Sequence, residues 1–147
     1  MSRVDLPTRI GLRVLQLHQR LYEGTDGRIG HRMLGTPCLL LTTTGRRTGK
    51  QRTAALVYAR DGDDYLIVAS MGGADVSPAW LHNLRAQPRV QVQVGRERFD
   101  AAAHVIERGD PEYARVWELV NRNNRDRYKG YQEKTTRPIP VVALRPT

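Results

Sequence analysis

Cysteine is almost absent: Cys38 stands alone among 147 residues, so no internal disulfide can form and cysteine-pair redox chemistry is excluded. Long hydrophobic runs are missing too. The longest, Ala54 to Ala59, has six residues, against about 20 needed to span a bilayer. The opening stretch MSRVDLPTRI lacks the apolar h-region of a signal peptide, so a cytoplasmic location is expected. His18, His31, His82 and His104 fall at no metal-ligand spacing, and no metal is expected. Acidic side chains are scarce, 15 against 24 Lys plus Arg, for a net charge of +9. Of those 24, 21 are arginine, whose rigid fork suits phosphate and carboxylate. The expected partner is therefore anionic: nucleic acid, an acidic lipid surface or a polyanionic small molecule.

A hydrophobic content of 39% with 27% charged residues, at this length, describes one ordinary globular domain. In residues 8–22, Ile10, Val14, Leu17 and Leu21 recur at helical spacing beside a row of Arg9, Arg13, Gln16 and Arg20. The spacing predicts an amphipathic helix, which either packs on the main domain or lies on a membrane surface. Gly24, Gly27, Gly30 and Gly35 then mark a loop, so residues 1–37 form an N-terminal extension to a domain at 38–147.

Short apolar runs bounded by turn residues predict six strands: Cys38 to Thr43, Thr53 to Ala59, Tyr65 to Ala69, Val90 to Val94, Phe99 to Ile106 and Ile139 to Leu144. In β-alternation Val90, Val92 and Val94 point one way and Gln91 and Gln93 the other. Pro78 suits the first turn of a helix to about Ala86. Tyr113, Val116, Trp117 and Val120 make one face of a second. The fold class is α+β, a small six-stranded antiparallel barrel with helices packed outside.

Three clusters carry the chemistry. LLLTTTGRRTGKQR holds Arg46, Arg47, Lys50 and Arg52, and no acid occurs between Cys38 and Tyr58. A turn with Gly45 and Gly49 can offer backbone N–H groups to an anion while the arginines supply paired hydrogen bonds, or it is simply a solvated hairpin. It is not a P-loop, because three residues instead of four separate the glycines and Gln51 follows Lys50. ASMGGADVSPAWLHNL places Gly72 and Gly73 after a strand, where backbone can approach a flat ligand, and sets Trp80 and Asn83 three apart on one helix face. RDRYKGYQEKTTRPIP carries Tyr128 and Tyr131 at helical spacing among cations, as a base-stacking surface or as a lid.

In this order, TTTGRRTGKQR, ASMGGADVSPAWLHNL and YKGYQEKTTRPIPVVAL closely resemble the deazaflavin-dependent nitroreductase family, also described as coenzyme F420-dependent quinone reductases, from about Cys38 to Pro146. The resemblance implies a split β-barrel of the superfamily that includes flavin mononucleotide-binding oxidases. It also implies coenzyme F420, an 8-hydroxy-5-deazaflavin with a phosphate and a poly-γ-glutamate tail. The activity it implies is hydride transfer from the reduced cofactor to a quinone or nitroaromatic-like acceptor. By position, Thr44, Gly45, Arg46, Arg47, Thr48, Gly49 and Arg52 resemble the phosphate- and tail-binding segment. The backbone of Leu66, Ile67, Val68 and Ala69, with Ser70, resembles the strand edge along the ring, and Ser77, Pro78, Trp80 and Asn83 the loop and helix completing the groove. Ser70, Tyr128 and Tyr131 are the implied catalytic residues, the tyrosines covering the acceptor. The chain departs from the family at Ala54 and Ala55, where a polar residue followed by proline is frequent, and at Arg125, which can be tyrosine.

The expected partner is a quinone-like small molecule, with no nucleic acid, and with peripheral contact to the inner face of the cell membrane through residues 8–22. Two other readings fit parts of the sequence: a flavin- or haem-binding split barrel, and a basic RNA-binding barrel, although one Phe and no RNA motif speak against the latter.

Overall fold

The computed structural model describes residues 32–33 and 36–147. The predicted helix at 8–22 and most of the loop after it lie outside the described residues. Among the described residues there are eight antiparallel strands: β1 (Arg32–Met33), β2 (Thr36–Thr44), β3 (Gln51–Val57), β4 (Ala59–Asp61), β5 (Asp64–Val68), β6 (Arg89–Val94), β7 (Glu97–Ile106) and β8 (Val141–Pro146). Three helices accompany them: α1 (Ala79–Ala86), α2 (Tyr113–Asn123) and α3 (Arg127–Glu133). The strands run in the order β1-β2-β6-β7-β8-β5-β4, with β3 also paired to β2.

Eight strands stand where six were expected, and the main reason is Tyr58. The run Thr53 to Ala59 is continuous in hydrophobicity, yet it serves two partners. Val57 pairs with Cys38 of β2, whereas Ala59 pairs with Leu66 of β5. Between them, Tyr58 gives its N–H to the Pro37 carbonyl at 3.1 Å and takes the Asn123 amide on its own carbonyl at 2.9 Å. The ladder therefore changes partner at Tyr58, and one apolar run becomes two strands. The other addition is β1, two residues paired with Thr36 and Pro37. At the far end β8 starts at Val141, not Ile139, because Pro140 has no N–H to give to a ladder.

The alternation read in the sequence sorts side chains between two cores. Leu39, Leu41, Ile67, Val90, Val92, Val142 and Leu144 fill the inside of the curled sheet, closed by Trp80, Leu81 and Leu84 of α1. On the other face, Leu66, Val68, Ile106 and Val141 meet Tyr113, Val116 and Val120 of α2 and Tyr128 of α3. Strand β5 lies between the two cores, so successive residues are buried on opposite sides and the alternation of exposure disappears. Among the described residues no ladder joins β3 to β4 or β5, although β3 and β5 approach each other, and the sheet is a split barrel. No helix among the described residues is long and apolar enough to cross a membrane.

Candidate active site

The split leaves one strand edge open. Strand β8 pairs with β5 from Tyr65 to Val68, but on the opposite edge β4 reaches only to Leu66. Past Leu66 the outer edge of β5 has no paired strand among the described residues, and because Ala69 bonds the Pro140 carbonyl on the β8 side, the backbone groups facing this edge are those of Val68. The side chains of Leu66, Ile67, Val68 and Ala69 are all buried, so what this segment offers to a ligand is backbone. Ser70 follows directly, 7% exposed, and its hydroxyl makes no hydrogen bond to another described residue, the turn it opens included. A buried hydroxyl without a partner is costly and calls for an acceptor or donor from elsewhere.

The basic loop lies at the end of β2. Gly45 closes it through N–H to Lys50 carbonyl at 2.7 Å, and Gly49 returns its N–H to the Gly45 carbonyl at 2.8 Å. Gly49 sits at φ +70°, a conformation that a side chain would strain. Arg46, Arg47, Thr48, Lys50 and Arg52 are exposed, while Thr44 and Gly45 are half-buried. None of the four cations forms a salt bridge with a described residue. Arg52 is the cross-strand partner of Thr43, which places both on one face of the sheet.

Asn83 ties this loop to α1. Its amide nitrogen donates to Thr43 Oγ1 at 3.2 Å, and its Oδ1 accepts the Arg46 N–H at 3.2 Å. Only 3% exposed, Asn83 holds the loop in place with both ends of its amide. Trp80, one turn earlier, is 9% exposed and belongs to the inner core. Ser77 is half-buried and Pro78 buried at the start of the helix. Sequence reasoning passed over His82 beside them. Burial lowers the proton affinity of its imidazole, and the charges of Arg46 and Arg85 lower it further.

The third cluster meets the second at a glycine. After Ser70 the chain makes a single 3-10 turn, Met71 to Gly73, and α3 packs against it. Gly73 has φ +86°, and a Cβ there would lie 2.7 Å from the Tyr131 carbonyl oxygen, so only glycine allows this approach. The two tyrosines, expected to cover an acceptor together, have different surroundings. Tyr128 is 6% exposed, with its ring centroid 6.5 Å from Trp117 and 6.2 Å from Tyr131. Burial pushes its phenol pKa far up, and its ring forms part of the outer core. Tyr131 stays half-buried, edge-on to Tyr128. Of the departures, Ala55 is buried with Leu40 in a small separate cluster, and Arg125 is exposed in the α2–α3 turn at φ +55°.

Arg137 was outside the predicted set, yet it reaches into the site. Its Nη1, Nη2 and Nε donate to the carbonyls of Ala69, Ser70 and Ala74 at 3.1, 2.8 and 2.8 Å. The signal for it was the pattern Arg-Pro-Ile-Pro, in which the prolines withhold the donors that a strand would supply.

Taken together, a backbone edge, a buried hydroxyl and a loop of cations, none with a partner among the described residues, fit a flat heteroaromatic ring carrying an anionic tail. The family model described as F420H(2)-dependent quinone reductase matches residues 14–146. A curated F420H(2)-dependent quinone reductase of Mycobacterium tuberculosis (strain ATCC 25618 / H37Rv) is 54% identical over 140 residues, 95% of this chain and 94% of the relative. Among solved structures, an F420-H2 dependent reductase is similar at 37% identity and TM-score 0.66, over 74% of this chain and 93% of that one. Another, described as a domain-swapped dimer, has 34% identity and TM-score 0.68 over 94% and 98% of the two chains.

Proposed function

As the chain belongs to the F420H(2)-dependent quinone reductase family, we propose that the open edge at Ile67–Ser70 and the basic loop are where its cofactor and acceptor meet. The protein is an oxidoreductase whose cofactor is coenzyme F420 and whose acceptor is a quinone; nitroaromatic-like compounds are proposed as further acceptors. When bound, the reduced deazaflavin supplies the hydride. The chain's own work is binding and orientation.

In this reading Arg46, Arg47 and Arg52, with backbone N–H groups of the Thr44–Gly49 turn, hold the phosphate and glutamate tail. Charge-assisted, paired hydrogen bonds are what arginine does best. The backbone of Ile67 to Ala69 lies along the ring, and the Ser70 hydroxyl gains the partner it lacks within the described residues. Ser77 and Pro78 close the groove. Asn83 acts through the loop it fastens, and Trp80 through the inner core. Tyr131 borders the acceptor, where its hydroxyl donates to an oxygen gaining negative charge. Tyr128 supports Tyr131 from behind. The observation that carries this assignment is the edge of β5 left unpaired among the described residues from the point where β4 stops, next to the Ser70 hydroxyl. Residues 1–37 are proposed as an extension of the barrel domain, with segment 8–22 resting on the inner membrane surface, where quinones partition.

Titration decides the matter. Protein made in a host without deazaflavin is expected to purify colourless, to bind coenzyme F420 in preference to flavin mononucleotide or single-stranded RNA at matched ionic strength, and to reduce a soluble naphthoquinone with reduced F420. A yellow preparation with tightly held flavin mononucleotide and no response to F420 overturns it.

A further inference from the structure

The ladder between β5 and β8 ends in a mismatch that a side chain repairs. Val68 pairs with Val141, so the next pair in register is Ala69 with Pro140. In an antiparallel hydrogen-bonded pair the two residues exchange both N–H···O bonds. Here the Ala69 N–H does reach the Pro140 carbonyl, at 3.1 Å. The return bond cannot form, because proline has no N–H. Ala69 thus has a carbonyl without its strand partner, at the point where the chain enters the Ser70 turn. Arg137 Nη1 takes that carbonyl, while Nη2 and Nε take those of Ser70 and Ala74. One rigid fork grips both limbs of the turn.

Its other end is anchored to α3. The Arg137 N–H donates to Thr135 Oγ1 at 3.3 Å, and its carbonyl accepts the Gln132 side-chain amide at 2.8 Å. Gln132 also accepts the Ile139 N–H on Oε1 at 2.9 Å. Gln132 is the neighbour of Tyr131, and the Tyr131 carbonyl already abuts Gly73. Two independent contacts, Gly73 on Tyr131 and Arg137 on three carbonyls, therefore hold the turn carrying Ser70 against the helix carrying Tyr131.

We propose that Arg137 is a positioning residue of the reductase: by gripping the Ala69–Ala74 turn it fixes the distance between the Ile67–Ser70 segment that borders the ring and the Tyr131 wall that borders the acceptor. The proposal deepens the functional reading above and rests on it for where ring and acceptor sit. Hydride transfer demands reacting atoms within about 3–3.5 Å, and a displacement of 1 Å can cost about 10²-fold in rate.

The test uses Arg137→Met and Arg137→Lys in the full chain. Amide hydrogen exchange on the cofactor-free protein is expected to quicken at least tenfold at Gly73 and Ala74, whose N–H groups close the turn, and to stay unchanged at Leu66 and Ile67 in β5. In single turnovers at saturating F420, Arg137→Met is expected to lose about 10²-fold in hydride-transfer rate while the F420 dissociation constant moves less than tenfold. Arg137→Lys is expected to recover a fraction of the loss, since one ammonium cannot span three carbonyls. Unchanged exchange in the turn, or an unchanged rate with quickened exchange, overturns the proposal. If Arg137→Met does not fold, Arg137→Lys decides by the same two measurements. A parent protein that fails to bind F420 refutes the reading of the site, and the exchange data still decide whether Arg137 holds the turn.

Discussion

Replacing Asn83 with leucine separates a residue that touches the cofactor from one that fastens the loop. The side chain is 3% exposed and spans Thr43 Oγ1 and the Arg46 N–H, both at 3.2 Å. Leucine keeps the branched heavy-atom shape, with somewhat bulkier methyl ends, and removes both bonds. The two partners then fare differently. Arg46 is exposed and its N–H turns to water, whereas Thr43 is 1% exposed and its hydroxyl loses a partner inside the protein. Stranding a buried polar group costs about 1–3 kcal/mol. In a chain of this length that lowers Tm by about 3–12 °C. The effect on binding has its own ceiling. Releasing the loop can reduce the binding-competent population by no more than the worth of the Arg46 bond, about 1.5 kcal/mol, so F420 affinity falls by at most about tenfold. Thermal melting and fluorescence titration with F420 measure the two quantities. A loss of affinity beyond about 100-fold with Tm unchanged would refute the reasoning, because Asn83 would then be contacting the cofactor itself. Lower Tm with unchanged affinity would make it a core tether with no bearing on the loop.

Converting both Arg46 and Arg47 to Ala is expected to weaken F420 binding about tenfold per arginine, the low end for a charge-assisted hydrogen bond, while the hydride step at saturating cofactor changes little; unchanged affinity in a folded protein would leave the loop a solvated hairpin. His82 titrates below its ordinary value of 6.5 because burial and the charges of Arg46 and Arg85 disfavour the imidazolium. An anionic tail on Arg46 offsets part of that field and raises the value, so binding takes up protons and F420 affinity is expected to rise as pH falls through the bound-state pKa; NMR titration of the His82 ring, with and without F420, reads the shift, and a downward shift sinks the idea. Tyr128→Ala is expected to destabilise the fold by about 3–5 kcal/mol in chemical denaturation, as for other buried aromatics, whereas Tyr131→Phe is expected to keep stability and F420 affinity and lose roughly 10²-fold in quinone reduction. The reverse pattern would exchange their roles. The full chain is expected to float with anionic liposomes at low salt and to be released near 1 M salt, where screening shortens the Debye length to about 3 Å; no flotation, with unfolding on deletion of residues 8–22, assigns that segment to the core instead.

What could be read in the sequence was whatever depends on neighbours close along the chain. Valine and glutamine alternate from Val90 to Val94, and β6 buries Val90 and Val92 as that alternation requires. The basic loop is legible through Gly45 and Gly49 and through the absence of carboxylates between Cys38 and Tyr58, a single short stretch of chain. What could not be read depends on partners far away. Nothing between Thr53 and Ala59 marks a break, since the contacts that interrupt the ladder at Tyr58 come from Pro37 and from Asn123, 65 residues on. The resemblance implies Asn83 as a residue of the cofactor groove, but no local signal tells that Thr43 and Arg46 use its amide from 40 and 37 positions away. Spacing put Tyr128 and Tyr131 on one face of α3, and Trp117 of α2 then buries one and leaves the other.

These long-range contacts share a physical origin. A barrel that is split must leave some backbone unpaired, and each unpaired group has to be satisfied by a side chain, by solvent or by a ligand. Tyr58 resolves its backbone through Pro37 and Asn123, and Ala69 resolves its carbonyl through Arg137. The Val68 backbone, which faces the outer edge, has no such answer among the described residues, and neither does the Ser70 hydroxyl beyond it. Among the described residues the fold repairs the breaks on either side and leaves this one open, which is why we propose it as the ligand's place, with the cations of the Gly45–Gly49 loop, none of them in a salt bridge with a described residue, favouring an anionic ligand.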